Sequence, residues 1–294
     1  MNKKLFFLGI LSFLISTVKA QEEKFDYEFL GVLLISKTQL YSYKLQFNIY
    51  KDSIKGYSYT DLTGPHETKS YIFGTYDKIT NDIFFKEQDV LYTKSVVGED
   101  EFCFIQSNGK LKLKSNKNSF DSEFEGVYED GTSCASGRIK VVGTKFIEKK
   151  AKKLYKKVKN KKKIDSVVKE KLRPERILSK FGKTTISQDE TISLFVKKNK
   201  VQFEIWDYGK EDGDIVDIYI NGKKIISNLE VKRKKKNVVF NLQEGKNEIK
   251  VTTVSSGTIK TNTAKIKIYD ATRFYELTSN VDKGKSAIIN VIVN

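Results

Sequence analysis

Apolar and polar residues alternate along residues 27–142, and this pattern predicts a series of short β-strands. In LYSYKLQFNIY, positions 41, 43, 45, 47 and 49 carry Tyr, Tyr, Leu, Phe and Ile, and polar residues fill the positions between them. A period of two buries one face of a strand and leaves the other in water. Turn signals such as Gly64-Pro65 and Asn108-Gly109 separate the segments. Candidate strands are 27–36, 41–49, 53–60, 68–76, 82–87, 101–106, 109–115, 121–129 and 137–142.

These eight or nine segments predict an antiparallel β-barrel over residues 21–143. Closing the barrel removes the unpaired strand edges of an open sheet. A β-sandwich is the alternative for this region. A small barrel can hold one ligand in its interior, so the barrel also suggests a pocket. Candidate lining residues are Tyr41, Tyr43, Tyr57, Tyr59, Tyr71 and Tyr76, although packing in a solid core explains them equally well.

A second set of alternating segments predicts a C-terminal β-sandwich over residues 186–294. The Asn221-Gly222 pair is the strongest hairpin signal in it. Short strands at this density fit an immunoglobulin-like sandwich, although the cysteine pair of a true immunoglobulin domain is missing. Candidate strands are 191–197, 200–206, 214–220, 223–229, 236–242, 246–254, 260–269, 273–279 and 285–293.

Residues 144–185, here called the lysine-rich segment, predict a helical linker between two independent β cores. Ile147, Ala151, Leu154 and Val158 recur at helical spacing, and Asn160 begins an interruption that extends to residue 165. A proline at position 174 suits the first turn of a further short helix. The segment contains 17 Lys or Arg and 4 Asp or Glu. The difference of 13 makes up most of the net charge of +17.

This charge suggests attraction to a polyanion of the cell envelope, and a solvated helix face is the alternative. Specific nucleic-acid binding is not expected, because only 5 of the 54 basic residues are Arg and the segment has few aromatic residues for stacking. The candidate polyanion-binding residues are Lys149, Lys152, Lys153, Lys156, Lys157, Lys161, Lys162 and Lys163.

Residues 1–20 have the pattern of a cleavable signal peptide. A cationic start precedes an apolar stretch from Leu5 to Ile15, and Val18-Lys19-Ala20 supplies small residues at the cleavage point. The apolar stretch is too short for a stable membrane span, and no later stretch is long enough. We therefore expect an exported protein, periplasmic or at the cell surface, without a transmembrane segment in the mature chain.

The expected location outside the cytosol predicts the oxidation state of the cysteines. Cys103 and Cys134 are the two cysteines of the chain, and an even number in an oxidising compartment predicts one disulfide. Two free thiols are the alternative. A reactive thiol would need a nearby base, and the only histidine, His66, lies in a Gly-Pro turn.

The stretch WDYGKEDGDIVD places several carboxylates in one loop. Asp207, Asp212 and Asp214 could supply oxygen ligands to Ca²⁺, the one cofactor that the sequence suggests. The spacing is not that of an EF-hand, since position 218 is Ile where that loop has a Glu. The alternative is turn architecture, in which the aspartates accept backbone N–H groups and Gly213 adopts a positive φ.

Two sets of motifs carry resemblances to known modules. The first set is FLGVLL, YSYKLQFNIYKDSIKGYSY, EFCFIQSNGKLKL and SEFEGVYEDGTSCASGRIKV. It resembles a lipocalin-like or avidin-like N-terminal module of secreted Bacteroidota proteins. That resemblance implies pairing of the two cysteines. The sequence departs from the family at Phe102, where a tryptophan is common. WDYGKEDGDIVDIYINGKKI, followed by EGKNE and GTIKTNTA, is similar to a C-terminal module of such proteins. Neither resemblance implies an established activity.

The functional expectation is an exported, non-catalytic binding or adhesion protein of the bacterial cell envelope. No nucleophile elbow, metalloprotease motif or phosphate-binding glycine loop is present, so an enzyme is not expected. The ligand would be an envelope polyanion or a small molecule. A structural envelope protein, anchored by its basic helix to an anionic surface, is the alternative. A polysaccharide hydrolase is a more distant one, because it would need two opposed carboxylates across a cleft.

Overall fold

The structure is a computed structural model that describes residues 24–35, 38–96, 98, 101–114, 117–179, 181–207, 211–257 and 261–294. The predicted signal peptide lies outside the described residues, and so does Gly209 of the acidic loop.

The first eight strands form the predicted antiparallel barrel. Each strand pairs with the next in the chain, and β1 pairs with β8. Pairing of β5 with β6 completes the ring. The strands are β1 Tyr27–Leu34, β2 Leu40–Tyr50, β3 Ser53–Thr60, β4 Thr68–Tyr76, β5 Asp82–Thr93, β6 Phe104–Lys112, β7 Ser119–Val127 and β8 Ser133–Gly143.

The turn predicted at Asn108-Gly109 is wrong, because β6 continues through both residues. The predicted strands 101–106 and 109–115 are therefore one strand. A Cβ atom at Gly109 would meet Ser122 Oγ at 2.5 Å and Ser122 Cβ at 2.8 Å. Glycine here serves close packing between β6 and β7, a role that a turn signal does not distinguish.

Alternate side chains of the eight strands fill the barrel with a hydrophobic core. Its largest fully buried members include Phe29, Phe47, Phe85 and Phe120. Glu87 is the buried acid within this interior: Tyr43 Oη donates to its Oε1 at 2.9 Å, and Ile105 N donates to its Oε2 at 2.9 Å. Burial raises the pKa of Glu87 above its ordinary value. The carboxyl group is thus accommodated inside the barrel by hydrogen bonds.

Cys103 and Cys134 form a disulfide, as predicted. It links the residue before β6 to β8, across 31 positions of sequence. On the chain-entropy account, closing a loop of that length stabilises the fold by about 3 to 4 kcal/mol. Gly126 is packed against the bridge, since a Cβ atom there would meet Cys103 Sγ at 2.5 Å.

The lysine-rich segment contains three helices, in agreement with the predicted interruption and with a helix that begins at Pro174. They are α1 Thr144–Val158, α2 Ser166–Lys171 and α3 Pro174–Ser179. Asp165 caps α2, accepting a hydrogen bond from Val167 N at 2.6 Å. No helix among the described residues is long and apolar enough to cross a membrane.

The C-terminal strands form two sheets that share one core. The first has the order β13-β12-β15-β19-β10, and the second, of six strands, contains β14, β11, β17, β18, β16 and β9. Buried side chains of both sheets belong to a single hydrophobic cluster. The immunoglobulin-like assignment of this region stays a prediction. The strands are β9 Thr184–Ser187, β10 Thr191–Val196, β11 Lys200–Asp207, β12 Asp214–Ile220, β13 Lys223–Glu230, β14 Lys236–Asn241, β15 Gly245–Ser256, β16 Thr261–Asn262, β17 Ala264–Tyr269, β18 Phe274–Asp282 and β19 Ser286–Val293.

The two hydrophobic clusters, one in the barrel and one in the C-terminal sheets, are joined through β5, which contributes residues to both. The predicted division into a barrel domain and a sandwich domain stays a prediction. The first residues of β5 pair with β6 and close the barrel, whereas Tyr92 and Thr93 pair with β10. The result is one continuous sheet of 13 strands. Leu91 and Tyr92 belong to the C-terminal hydrophobic cluster. The strand leaves the barrel at a register shift in its pairing with β4, near Asp89, which has φ of 60°.

Arg273 joins the two parts at this point. It lies in the turn between β17 and β18, and its guanidinium group forms an ion pair with Asp89 and donates to Phe195 O of β10 at 3.0 Å. The Arg273 side chain is 7% exposed. Asp270 organises the turn itself by accepting hydrogen bonds from the backbone N–H groups of Lys197, Thr272 and Arg273.

We predict that Arg273→Ala lowers the free energy of unfolding by about 2 kcal/mol, because it removes the ion pair with Asp89 and one of the hydrogen bonds to Phe195 O. Lys197 near Asp89 and Tyr275 Oη on Phe195 O offset part of the loss. Arg138→Ala is the matched control: its ion pair with Asp121 is on the surface, with the Arg138 side chain 55% exposed, and should cost at most about 1 kcal/mol. Guanidinium-induced unfolding of both variants measures the difference. Equal losses in the two variants would contradict this account of the junction.

Candidate functional site

The outer faces of β3 and β4 carry aromatic and cationic side chains. Tyr57 and Tyr59 alternate with Gly56 and Ser58 along β3, so the large residues point away from the barrel interior. Tyr57 pairs with Tyr71 of β4, with ring centroids 5.1 Å apart. Lys69 Nζ lies 3.9 Å from the centroid of the Tyr57 ring and 5.3 Å from that of Tyr59. The two strands thereby present a row of rings and ammonium groups outside the barrel.

A groove, here called the outer groove, runs along this face. Its floor is formed by β3 and β4, and the turn that holds Arg273 forms one wall. Its volume is about 1330 Å³. The cationic lining residues are Lys24, Lys55, Lys69 and Arg273, and the aromatic ones are Tyr50, Tyr57, Tyr71, Phe73 and Phe274. No Asp or Glu is among the described residues that line it.

Two of these aromatic side chains are open to solvent. Tyr50 is 77% exposed and Phe73 is 44% exposed, whereas Tyr57 is buried beneath its neighbours. Lys24 and Lys55 are exposed as well. The outer groove thus combines available rings with available positive charge, an arrangement that suits a negatively charged ligand with flat faces.

A second groove, of about 530 Å³, adjoins the first through Lys24, Tyr57, Lys69 and Phe274, which line both. Glu28, Glu67 and Glu276 also line it, so its charge is mixed. Glu67 accepts hydrogen bonds from Thr63 N and Tyr92 Oη, both at 2.8 Å, and Glu276 forms an ion pair with Lys265. Two of the three carboxylates are thus held by neighbouring groups.

The six tyrosines predicted to line a barrel pocket do not form one site. Tyr41, Tyr43 and Tyr76 belong to or pack against the barrel core. Tyr57, Tyr59 and Tyr71 lie outside it and contact the C-terminal cluster. The interior leaves no room for a side chain at position 56 of β3, since a Cβ atom on Gly56 would meet Phe47 Cα at 2.6 Å. Because the pattern of alternation does not say which face of a strand is inside, the sequence did not separate the two groups.

The acidic loop places two of its three aspartates in buried positions. Asp207 ends β11 and is 4% exposed, and Asp214 begins β12 and is 3% exposed. Thr263 N donates to Asp214 Oδ2 at 3.3 Å, whereas Asp214 Oδ1 is buried without a hydrogen-bond partner among the described residues. Burial, with the charges of Asp212 and Asp207, raises the pKa of Asp214 to about 6.

The arrangement of the acidic loop does not provide a set of ligands that would support the calcium hypothesis. No group of three or more His, Cys, Asp or Glu side chains in the described part of the chain could hold a metal ion. Part of the turn interpretation is confirmed, since Gly213 has φ of 93°. Gly257 packs against the loop from the opposite side, where a Cβ atom would meet Asp212 O at 2.2 Å. A calcium site at these residues stays a prediction.

The eight candidate lysines of the lysine-rich segment all lie exposed on α1 or in the turn that follows it. Lys152 forms an ion pair with Glu148. The others lie close to one another in sequence, and Lys149, Lys153 and Lys157 are spaced four residues apart on one helix. Like charges at that spacing repel. Leu154, Val167 and Val168 in the same segment are 47%, 59% and 46% exposed.

No protein-family model, no curated protein and no solved structure matches this chain at a significant level. The resemblances to secreted modules drawn from short motifs therefore stay predictions.

Sequence reasoning missed the outer groove, although some of its signals are in the sequence. The stretch KGYSYT places aromatic residues at alternate positions beside a lysine, and KSYIFG repeats that pattern in the next strand. The contribution of Arg273 could not be found in this way, because it lies more than 180 residues from Asp89 along the chain.

We predict that Asp214→Asn raises the free energy of unfolding at pH 7.5 by on the order of 1 kcal/mol. The raised pKa of Asp214 means that the folded protein binds a proton more tightly than the unfolded chain. Stability is thus lost as the pH rises from about 4 to above 6, and the asparagine variant avoids this loss. The comparison uses urea unfolding at several pH values in the presence of a chelator.

Asp217→Asn on the same strand is the matched control with the opposite sign. Hydrogen bonds from Lys224 and from Asn228 N lower the pKa of Asp217, so its carboxylate stabilises the fold above its ordinary pKa. This variant should lose stability at pH 7.5 and approach the parent protein in acid. A destabilised Asp214→Asn variant at pH 7.5 would show that the fold uses the negative charge of Asp214.

Proposed function

We propose that this chain is an exported, non-catalytic binding or adhesion protein of the bacterial cell envelope, and that the outer groove is its binding site. The observation that carries the proposal is the lining of that groove: four cationic and five aromatic side chains, with no carboxylate among the described lining residues. Ligand sites in proteins are typically concave and largely apolar, with a few polar groups that fix orientation.

The position of the groove supports binding by a preformed surface. Its floor is a strand pair in the middle of the 13-stranded sheet, and one wall is anchored by the ion pair of Arg273 with Asp89. Such a groove needs little ordering when a ligand arrives, and a preorganised site loses less entropy on binding. The barrel interior, by contrast, is occupied by its own core side chains.

The disulfide supports the proposed export, since disulfides persist in oxidising compartments. The proposal that no reaction is catalysed is supported by the surroundings of the groove. Glu67, which is 2% exposed and hydrogen-bonded, lines only the adjoining second groove, and the buried Glu87 lies in the barrel interior, so neither faces a ligand in the outer groove as an acid or base.

We predict that the double variant Lys55→Glu, Phe73→Ala loses at least tenfold in affinity for any ligand of the outer groove, because it reverses a charge and removes an exposed ring. Binding of the mature protein to an array of purified oligosaccharides and small anions provides the measurement. Lys112→Glu, Phe84→Ala is the matched control, since Lys112 and Phe84 are also exposed on barrel strands but do not line the groove.

Array signals that are equal in the groove variant and the parent protein would place the binding site elsewhere. The absence of any signal for the parent protein, at concentrations up to the millimolar range, would count against a binding function for the groove.

A second candidate function is anchoring to an anionic membrane surface through the lysine-rich segment. The observation that favours it is the spacing of Lys149, Lys153 and Lys157 on α1, together with the exposed apolar residue Leu154 on the same helix and Val167 on α2. An interfacial helix combines lysines with apolar side chains in this way, and each lysine near an anionic bilayer contributes about 1 kcal/mol.

We predict that the mature protein sediments with vesicles containing phosphatidylglycerol and not with phosphatidylcholine vesicles. Replacing Lys149, Lys153, Lys156 and Lys157 by Gln should weaken this binding by on the order of a thousandfold, at about 1 kcal/mol for each lysine. The matched control replaces four exposed lysines of the C-terminal strands and loops, Lys198, Lys223, Lys246 and Lys283, by Gln. If both quadruple variants lose the same amount of vesicle binding, attraction by net charge explains the binding, and anchoring by α1 does not.

A further inference from the structure

The cationic side chains of the outer groove differ in the contacts that they make with the rest of the protein. Arg273 is committed to Asp89 and to Phe195 O, and Lys69 stacks on Tyr57. Lys24 and Lys55 are exposed at the groove surface. Lysine is a compact charge on a flexible stem and lacks the planar fork that binds a phosphate in two places. Separate, exposed lysines suit single carboxylate or sulfate groups spaced along a ligand.

The exposed rings and the neutral polar residues of the outer groove indicate the chemistry of the ligand between its negative groups. Tyr50 and Phe73 offer ring faces, which carry partial negative charge and attract the partly positive C–H groups of a flat ligand. Gln88 and Thr272 line the same groove. The Gln88 amide can both donate and accept hydrogen bonds, and Thr272 Oγ1, which donates to Asp270, can still accept one. Ring faces beside amide and hydroxyl groups fit sugar units, which present C–H surfaces and hydroxyl groups.

The dimensions favour an oligomer over a single small molecule. The volume of about 1330 Å³ exceeds the roughly 300 to 1,000 Å³ of pockets for small ligands. The second groove extends the site past Lys69 and Phe274. Because that extension carries carboxylates, the negative groups of a long ligand should bind in the outer groove, next to Lys24 and Lys55.

We infer that the outer groove binds a linear acidic saccharide, with its carboxylate or sulfate groups at Lys24 and Lys55 and its sugar rings on Tyr50 and Phe73. This inference rests on the proposed binding function and names the ligand class. Single-stranded nucleic acid is the competing polyanion with flat faces. It is disfavoured because the one arginine of the groove is held by Asp89, and because the disulfide indicates a compartment outside the cytosol.

The test is isothermal titration of the mature full-length chain with four hexameric probes. These are a galacturonic acid hexamer, a heparin hexasaccharide, the neutral maltohexaose and a hexathymidylate. At least one acidic hexasaccharide should bind at least tenfold more tightly than maltohexaose and than hexathymidylate, and its affinity should fall as salt is raised. The comparison of the first two probes distinguishes carboxylate from sulfate groups.

Matched variants locate the interaction. Lys24→Glu, Lys55→Glu should weaken acidic binding by at least tenfold and leave any binding of maltohexaose within twofold. Tyr50→Ala, Phe73→Ala should weaken both. The controls Lys112→Glu and Phe84→Ala should change neither affinity, and thermal melting confirms that every variant is folded.

Several results would overturn the inference. Equal affinity for acidic and neutral hexasaccharides would remove the charge requirement while leaving a binding function for the groove intact. Tighter binding of hexathymidylate would identify nucleic acid as the ligand class. If the double variant Lys24→Glu, Lys55→Glu keeps the parent's affinity for the acidic hexasaccharide, the anion site lies outside this groove. Failure of all four probes, beside a groove-dependent signal for another ligand on the array, would reject the saccharide and keep the proposed function.

Discussion

The sharing of β5 between the barrel and the C-terminal sheet is the constraint on which the rest of the structure depends. One end of the strand closes the barrel against β6, and the other pairs with β10. Arg273 holds the crossing point through Asp89 and Phe195 O. A single backbone hydrogen-bond network therefore passes through both parts. The outer groove lies beside this junction, so its shape depends on the same contacts.

The groove floor depends on large side chains on the outer face of barrel strands. In β3, Gly56 and Ser58 face the barrel interior beside Ile54, and Tyr57 and Tyr59 face outward. The interior is already filled by large residues of neighbouring strands, such as Phe47, which lies against Gly56. The outward tyrosines are then partly covered by the C-terminal cluster and by lysine side chains. Crowding inside the barrel and docking outside it together produce an aromatic, cationic surface.

The buried acids of the molecule differ in how their carboxyl groups are hydrogen-bonded. Glu87 lies inside the barrel with its oxygens accepting hydrogen bonds, and Asp270 accepts several backbone N–H groups that shape the Arg273 turn. Asp214 has one oxygen without such a partner among the described residues. Charge burial is costly unless it is compensated. Burial raises the pKa of Glu87 and of Asp214, whereas at Asp270 burial is outweighed by the hydrogen bonds, which lower the pKa, so the carboxylate of Asp270 supports the fold.

The sequence by itself determined the local structure, because the signals are local. Period-two alternation located most strands, helical spacing and Pro174 located the helices, and two cysteines sufficed for one disulfide. Only the tertiary structure decided which face of β3 and β4 is inside, that Asn108-Gly109 lies within a strand, and that the two cores share β5. Alternation is identical for either face of a strand, and pairings between residues as distant as Asp89 and Arg273 leave no local pattern.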